Sequence, residues 1–209
     1  SANSSASANS SASANSSASA NNLATSASLA SLDTPASSAT IYLAAGCFWG
    51  VEEIYQHTPG VLDTSVGYMG GTFPHPSYED VCSGNTGHAE TVCVTFDTEV
   101  IGAAKILQIF WECHDPTSRD RQGNDRGSQY RSLIFYTSAS QEKLAKEMRQ
   151  IYQQELLKSG RGEIVTEILP AAAYKYYLAE EYHQNYLQKY PQGYRCHSRT
   201  GVACPLPNL

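Results

Sequence analysis

The sequence predicts an α+β fold: a ferredoxin-like, split-βαβ sheet core covered by helices, with an irregular C-terminal tail. Three observations predict it. After residue 39 the apolar patterns run strand, helix, strand, strand, helix, strand, and then a further helix, strand and helix. The strand patterns are short and apolar or alternating, whereas the helical stripes recur at three- and four-residue spacing. Turn residues, chiefly Gly and Pro, fall between these segments.

Each element has its own signal. Thr40 to Ala45 (TIYLAA) is a short apolar strand, and Gly46 turns the chain into a helix from Cys47 to Gln56. That helix carries Val51, Ile54 and Tyr55 at helical spacing and ends at Pro59-Gly60. Val61 to Tyr68 is a strand, followed by a Gly/Pro-rich loop from Met69 to Pro76. Ala89 to Phe96 alternates cleanly, which puts Glu90, Val92, Val94 and Phe96 on one face. A helix from Gly102 to Cys113 buries Ile106, Leu107, Ile109 and Phe110, and Asp115-Pro116 breaks it. Thr117 to Gln129 is polar and Gly-containing, a loop. Arg131 to Thr137 is a strand, and Ser140 to Ser159 a long helix with Leu144, Met148, Ile151 and Leu156. Glu163 to Leu169 is a strand, and Tyr176 to Tyr190 a final helix stopped by Pro191 and Gly193. Residues after Tyr194 are irregular.

The N-terminal segment stands apart. Residues 1 to 18 are the hexad Ser-Ala-Asn-Ser-Ser-Ala written three times, and the same bias continues to Ser38. Such a stretch cannot bury enough apolar surface to offset its ordering entropy, so residues 1–38 read as a disordered tail or linker. Residues 39–209 suit one ordinary domain. No apolar targeting segment precedes it, no Lys or Arg occurs before Lys105, and no run is long enough to span a membrane. A cytoplasmic monomer is the expectation. The net charge is −6 and the 14 basic residues form no cluster, which excludes nucleic acid as an expected partner.

Six cysteines are present, at 47, 82, 93, 113, 196 and 204. The domain is too large to depend on a disulfide framework. No Cys-x-x-Cys pair accompanies His88 and His114, so no metal site is expected.

Cys47 ends a strand-turn and opens a helix, where free backbone N–H groups and the positive dipole end favour a thiolate. A buried, inert cysteine beside core residues Phe48 and Trp49 is the competing reading. Glu90 shares its strand face with apolar residues. Facing the core, its carboxyl would be desolvated and protonated near neutral pH, a proton donor; reaching water, it would be an ordinary glutamate. Cys196 and Cys204 sit in the tail with Gly201 and two prolines, where mobile thiols suit resolving and recycling roles. A static local disulfide, or two surface thiols, would fit equally. Cys82, Cys93 and Cys113 lie in or beside regular elements and read as structural.

The run Gly46-Cys47-Phe48-Trp49-Gly50 resembles the signature of the A-type peptide methionine sulfoxide reductases. The resemblance extends through Val66-Gly67-Tyr68, Gly70-Gly71, Pro76-x-Tyr78, Val81-Cys82 and Gly87-His88-Ala89-Glu90. It continues in Phe110-Trp111-Glu112-x-His114-Asp115-Pro116, in Arg121 to Ser132, in Ala179 to Gln184 and in Pro191-x-Gly193-Tyr194. It spans almost everything from Ile41 to Pro205. The resemblance implies Cys47 as nucleophile and Glu90 as acid. Tyr78, Tyr130 and Asp125 would hold the sulfoxide oxygen or a water, and Phe48 and Trp49 would wall a pocket for the S-methyl group. Cys196 and Cys204 would resolve and recycle a Cys47 sulfenic acid. It further implies action on the S-epimer of methionine sulfoxide, free or in proteins. Thioredoxin would be the dithiol donor, with no metal or organic cofactor. One departure is the replacement of the usual glycine-rich sequence between the tail cysteines by His197-Ser198-Arg199-Thr200. Two other classes compete: a cysteine hydrolase with His88 or His183 as base, and a zinc-dependent scaffold.

Overall fold

The computed structural model describes residues 37–196 and 198–208. Residues 1–36 of the expected tail lie outside them. Ser38 does not: it already opens the first strand, because Ser38 pairs with Asp97 across the sheet.

The elements are β1 (Ser38–Ala45), α1 (Phe48–Gln56), β2 (Val61–Met69), α2 (Tyr78–Cys82), β3 (Ala89–Asp97) and α3 (Ala103–Cys113). There follow a small hairpin of β4 (Arg121–Gln122) and β5 (Asp125–Arg126), then β6 (Ser132–Tyr136), α4 (Ala139–Lys158), β7 (Glu167–Pro170), β8 (Tyr177–Leu178) and α5 (Tyr186–Lys189). Six strands form one sheet in the order β7-β6-β1-β3-β2-β8. β3 runs antiparallel to both β1 and β2 and lies between them, and β1 lies between β3 and β6 in the same sense. Each βα crossover is therefore split by one inserted strand, as the element order predicts. Among the described residues no helix is long and apolar enough to cross a membrane.

Alternation along the strands decides what faces the helices. Ile41 and Leu43 of β1 lie opposite Val94 and Val92 of β3, and all four are fully buried in the main core with Phe110, Trp111, Met148 and Tyr152. Glu90 continues that row and lies opposite Tyr68 of β2. The other sheet face carries a smaller cluster of Ala44, Met69, Ala89, Leu133 and Phe135. Phe110 is 0 % exposed, packed between Trp111 and His114. Phe110→Ala is expected to cost about 3–5 kcal/mol, read as a lower urea midpoint at unchanged m.

Four local readings need correction. Tyr176 to Tyr190 is not one helix; it is the short β8, a single turn at Glu181–His183 and the one-turn α5. Long-range hydrogen bonds outweigh helical propensity there. The buried Gln184 side chain accepts from Val66 N and donates to the carbonyls of Val66 and Ala179, while Asn185 adopts φ 54°. Of the expected 163–169 strand only Glu167–Leu169 pairs, in parallel with β6 and extended by Pro170. The 117–129 loop contains the β4–β5 hairpin. Finally, α2 had no expected counterpart, although Ser77 and Asp80 cap it reciprocally at 3.1 and 2.9 Å.

Candidate active site

Gly46 joins β1 to α1 at φ +96°, a conformation L side chains rarely adopt, and an added Cβ would meet Gln122 at 2.9 Å. The turn leaves Cys47 as the N-cap of α1. Its thiol makes no formal capping bond, but the amides of Trp49 and Gly50 lie where they favour a negative sulfur. The remaining free amide of this first turn goes to Glu90: Phe48 N donates to its Oε1 at 3.0 Å. Nucleophile and carboxyl are thus tied to one helix end.

Glu90 is 2 % exposed, and burial pushes its carboxyl up to about 8. The Phe48 amide opposes that rise, and the nearby Asp125 charge adds to it. Near neutral pH the group is a neutral acid, the first of the two alternatives left open by its strand face. The expected resting thiolate at Cys47 needs correction. Burial raises the thiol, a charge on Glu90 at higher pH raises it further, and the two helix amides only partly offset the burial. The resting side chain is a thiol.

Cys47, Phe48, Trp49, Tyr78, Glu90, Asp125, Tyr130 and Tyr194 line one cavity of about 190 Å³. Every residue expected to bind or activate substrate is there, brought from α1, α2, β3, β5 and the turn at Ser128–Tyr130. Burial raises the phenols of Tyr78 and Tyr130, so both remain hydroxyl donors. Phe48 is buried and Trp49 half-buried, giving the cavity its apolar wall.

Tyr194 and Tyr186 had no expected role at the site, and His183 has one other than the base of the competing hydrolase reading. Tyr194 donates to Asp125 Oδ1 at 3.0 Å, leaving Asp125 Oδ2 buried with no protein partner among the described residues. That oxygen is a ready acceptor. Its signal was Gly193-Tyr194 at the end of the motif series, hidden by the irregular tail. His183 Nδ1 accepts from Trp49 Nε1 at 3.1 Å, and Tyr186 stacks on the indole at 3.7 Å and 12°, so the Trp49 ring is fixed from two sides. His183 is thereby occupied. His88 is too, through Gly71 N and the Phe73 carbonyl, so neither histidine serves as a thiol base. Among the described residues no group of three or more His, Cys, Asp or Glu is arranged to hold a metal ion.

The tail cysteines part company. Cys196 shares with Cys47 a second, smaller cavity, and its thiol donates to the Gln122 carbonyl at 3.2 Å. Cys204 is 1 % exposed, and its amide donates to Glu112 Oε1 of α3 at 2.9 Å. Tyr152 of α4 straps the segment by donating to the Val202 carbonyl at 2.8 Å. The expectation of two mobile tail thiols is thus corrected for Cys204, because Glu112 and Gln108 of α3 hold its amide and carbonyl and Tyr152 of α4 holds the nearby Val202 carbonyl. All six cysteines are free thiols in this structure.

The family profile described as "Peptide methionine sulfoxide reductase" matches residues 39–204. A "Peptide methionine sulfoxide reductase MsrA" of Rhodospirillum centenum is 50 % identical over 173 residues, 83 % of this chain and 78 % of the relative. One of the same description from Vibrio parahaemolyticus is 52 % identical over 169 residues, 81 % of this chain and 78 % of the relative. The structure of methionine sulfoxide reductase A of Corynebacterium diphtheriae superposes with a TM-score of 0.75 at 44 % identity, covering 87 % of this chain and 89 % of that one. Reduced Mxr1 of Saccharomyces cerevisiae gives 0.71 at 39 % identity, covering 79 % and 92 %.

Proposed function

Since this chain belongs to the peptide methionine sulfoxide reductase family, and so is an oxidoreductase, we propose that it reduces methionine S-sulfoxide through a Cys47 sulfenic acid. The observation that carries this reading is one small cavity holding a cysteine, a neutral buried carboxyl and two phenol donors.

A sulfoxide resists attack at sulfur because oxide is a poor leaving group. Protonation or strong hydrogen bonding of its oxygen removes that obstacle. With the S-methyl group against Phe48 and Trp49, the oxygen meets Glu90, Tyr78 and Tyr130. Glu90 gives up its proton as Cys47 sulfur bonds to the substrate sulfur. The thiol proton then passes to the carboxylate, so two negative charges never coexist in the cavity. The hydroxyl then shifts from the substrate sulfur to Cys47 sulfur as the bond between the two sulfurs breaks, so methionine leaves and Cys47 carries a sulfenic acid; the thiol has been oxidised by two electrons and the sulfoxide reduced by two.

Cys196 condenses with the sulfenic acid, releasing water and forming a disulfide. A dithiol donor, thioredoxin, returns two electrons. No metal or organic cofactor is required, since thiols carry every electron, and one chain supplies the whole cavity. Transfer onward to Cys204 requires residues 198–204 to release their hold on α3 and α4.

Steady-state reduction of N-acetylmethionine sulfoxide with thioredoxin and its reductase tests the reading; absence of methionine product would refute it. Cys196→Ser is expected to keep one rapid turnover and lose thioredoxin-driven turnover. Undiminished steady-state rates in that variant would remove Cys196 from the cycle.

A further inference from the structure

The second cavity that opens on Cys47 has a volume of about 90 Å³, and two more cysteines line it: Cys196 and Cys113. At ~30 Å³ per water it has room for about three solvent molecules, so three thiol-bearing residues share one solvent-sized space. Cys113 ends α3, with its thiol donating to the Phe110 carbonyl at 3.3 Å. In the cycle proposed above it has no task.

We propose that Cys113 is a third redox thiol, accepting from Cys196 the disulfide first formed with Cys47. The inference rests on the reductase reading of Cys47. Three features favour Cys113 over Cys204 as this acceptor. Cys204 lines neither cavity of the site. Its amide and carbonyl are held by Glu112 and by Gln108 at 2.9 and 2.7 Å. Arg199, in contrast, stands in the wall beside Cys113, and its charge favours the Cys113 thiolate against the burial that raises it. Cys196 supplies the adjustment that disulfide geometry demands, since it lies outside the helices and strands and its thiol is held by side-chain and carbonyl hydrogen bonds, the Gln122 carbonyl among them.

The exchange balances without any added oxidant. Cys113 sulfur attacks Cys196 sulfur, the Cys47–Cys196 bond breaks, and Cys47 leaves as a thiolate that takes up the proton Cys113 lost. One disulfide replaces another. Cys47 is then free for a second sulfoxide before any reductant arrives.

The test uses the full chain, reduced, freed of reductant and given excess N-acetylmethionine sulfoxide. The reaction is quenched by alkylation, and disulfides are mapped by mass spectrometry. Cys204→Ala, whose alanine preserves the apolar site, is expected to yield a Cys113–Cys196 disulfide and about two methionines per chain; adding Cys113→Ser should restore Cys47–Cys196 and about one. Cys113 fully alkylated, with a single methionine formed, would overturn the proposal while leaving the reductase reading intact. No methionine from the wild-type chain would instead overturn the reductase reading. Should Cys204→Ala fail to fold, the wild-type chain quenched early decides: Cys113 protected before Cys204 supports the exchange, and Cys204 protected with Cys113 alkylated throughout refutes it.

Discussion

Cys47→Ser is expected to abolish reduction of methyl sulfoxides, in single turnover as in steady state, a loss of roughly 10⁵-fold or more. The hydroxyl is a far weaker nucleophile than sulfur, and it cannot carry oxygen as a sulfenic acid or pass the oxidation to Cys196. The fold should not suffer. Position 47 is the N-cap of α1, and serine is a strong N-cap, so the melting temperature is expected to hold or rise slightly. Stopped assays on separated sulfoxides, alongside thermal unfolding, check both halves. Residual activity within a few-fold of wild type would place the nucleophile elsewhere.

Glu90→Gln should slow the reductive step about a hundredfold or more, the usual scale for a lost general acid. Its pH signature is more telling. The wild-type carboxyl lies at about 8, so the donor is protonated below that value and the single-turnover rate should fall above it. Glutamine cannot titrate, so the variant's rate should show no such fall and should climb with pH as the Cys47 thiol ionises. Stability carries the same sign. A carboxyl raised on folding favours the folded chain below its ordinary range, and that contribution is lost as pH rises to about 8. Glu90→Gln should flatten this slope, measurable as urea midpoints at pH 6 and pH 9. A wild-type rate still level at pH 9.5 would exclude Glu90 as the donor.

How far the sequence leads depends on whether a feature is local. Gly46, Cys47 and the apolar stripe of α1 are neighbours in the chain, and the turn and helix end could be read directly. Period-two alternation from Ala89 to Phe96 put Glu90 on one face with Val92, Val94 and Phe96 but left open whether that face meets the core; the structure buries it because β3 is central in the sheet. The segment from Tyr176 to Tyr190 misled because its aromatic spacing looks helical. Tyr186 in fact stacks on Trp49, and Gln184 satisfies β2 backbone groups that lie 118 residues away. No local pattern encodes such partners. The protonation of Cys47 was misjudged for a related reason: the helix end is visible in sequence, while the burial that outweighs it comes from tertiary structure. Cys204 looked mobile among prolines and glycine. Glu112 and Tyr152, which fix it, announce nothing of the kind in their own segments.

The site's logic is a proton held by a buried carboxyl until a sulfur nucleophile needs it spent on oxygen. The most direct measurement gives the reduced chain less than one equivalent of the S- or the R-sulfoxide of N-acetylmethionine, without other reductant, and counts methionine and free thiols together. Methionine from the S-epimer alone, with a pair of thiols lost for each molecule formed, is the expected result. Equal reduction of both epimers, or product formed with every thiol still free, would contradict it.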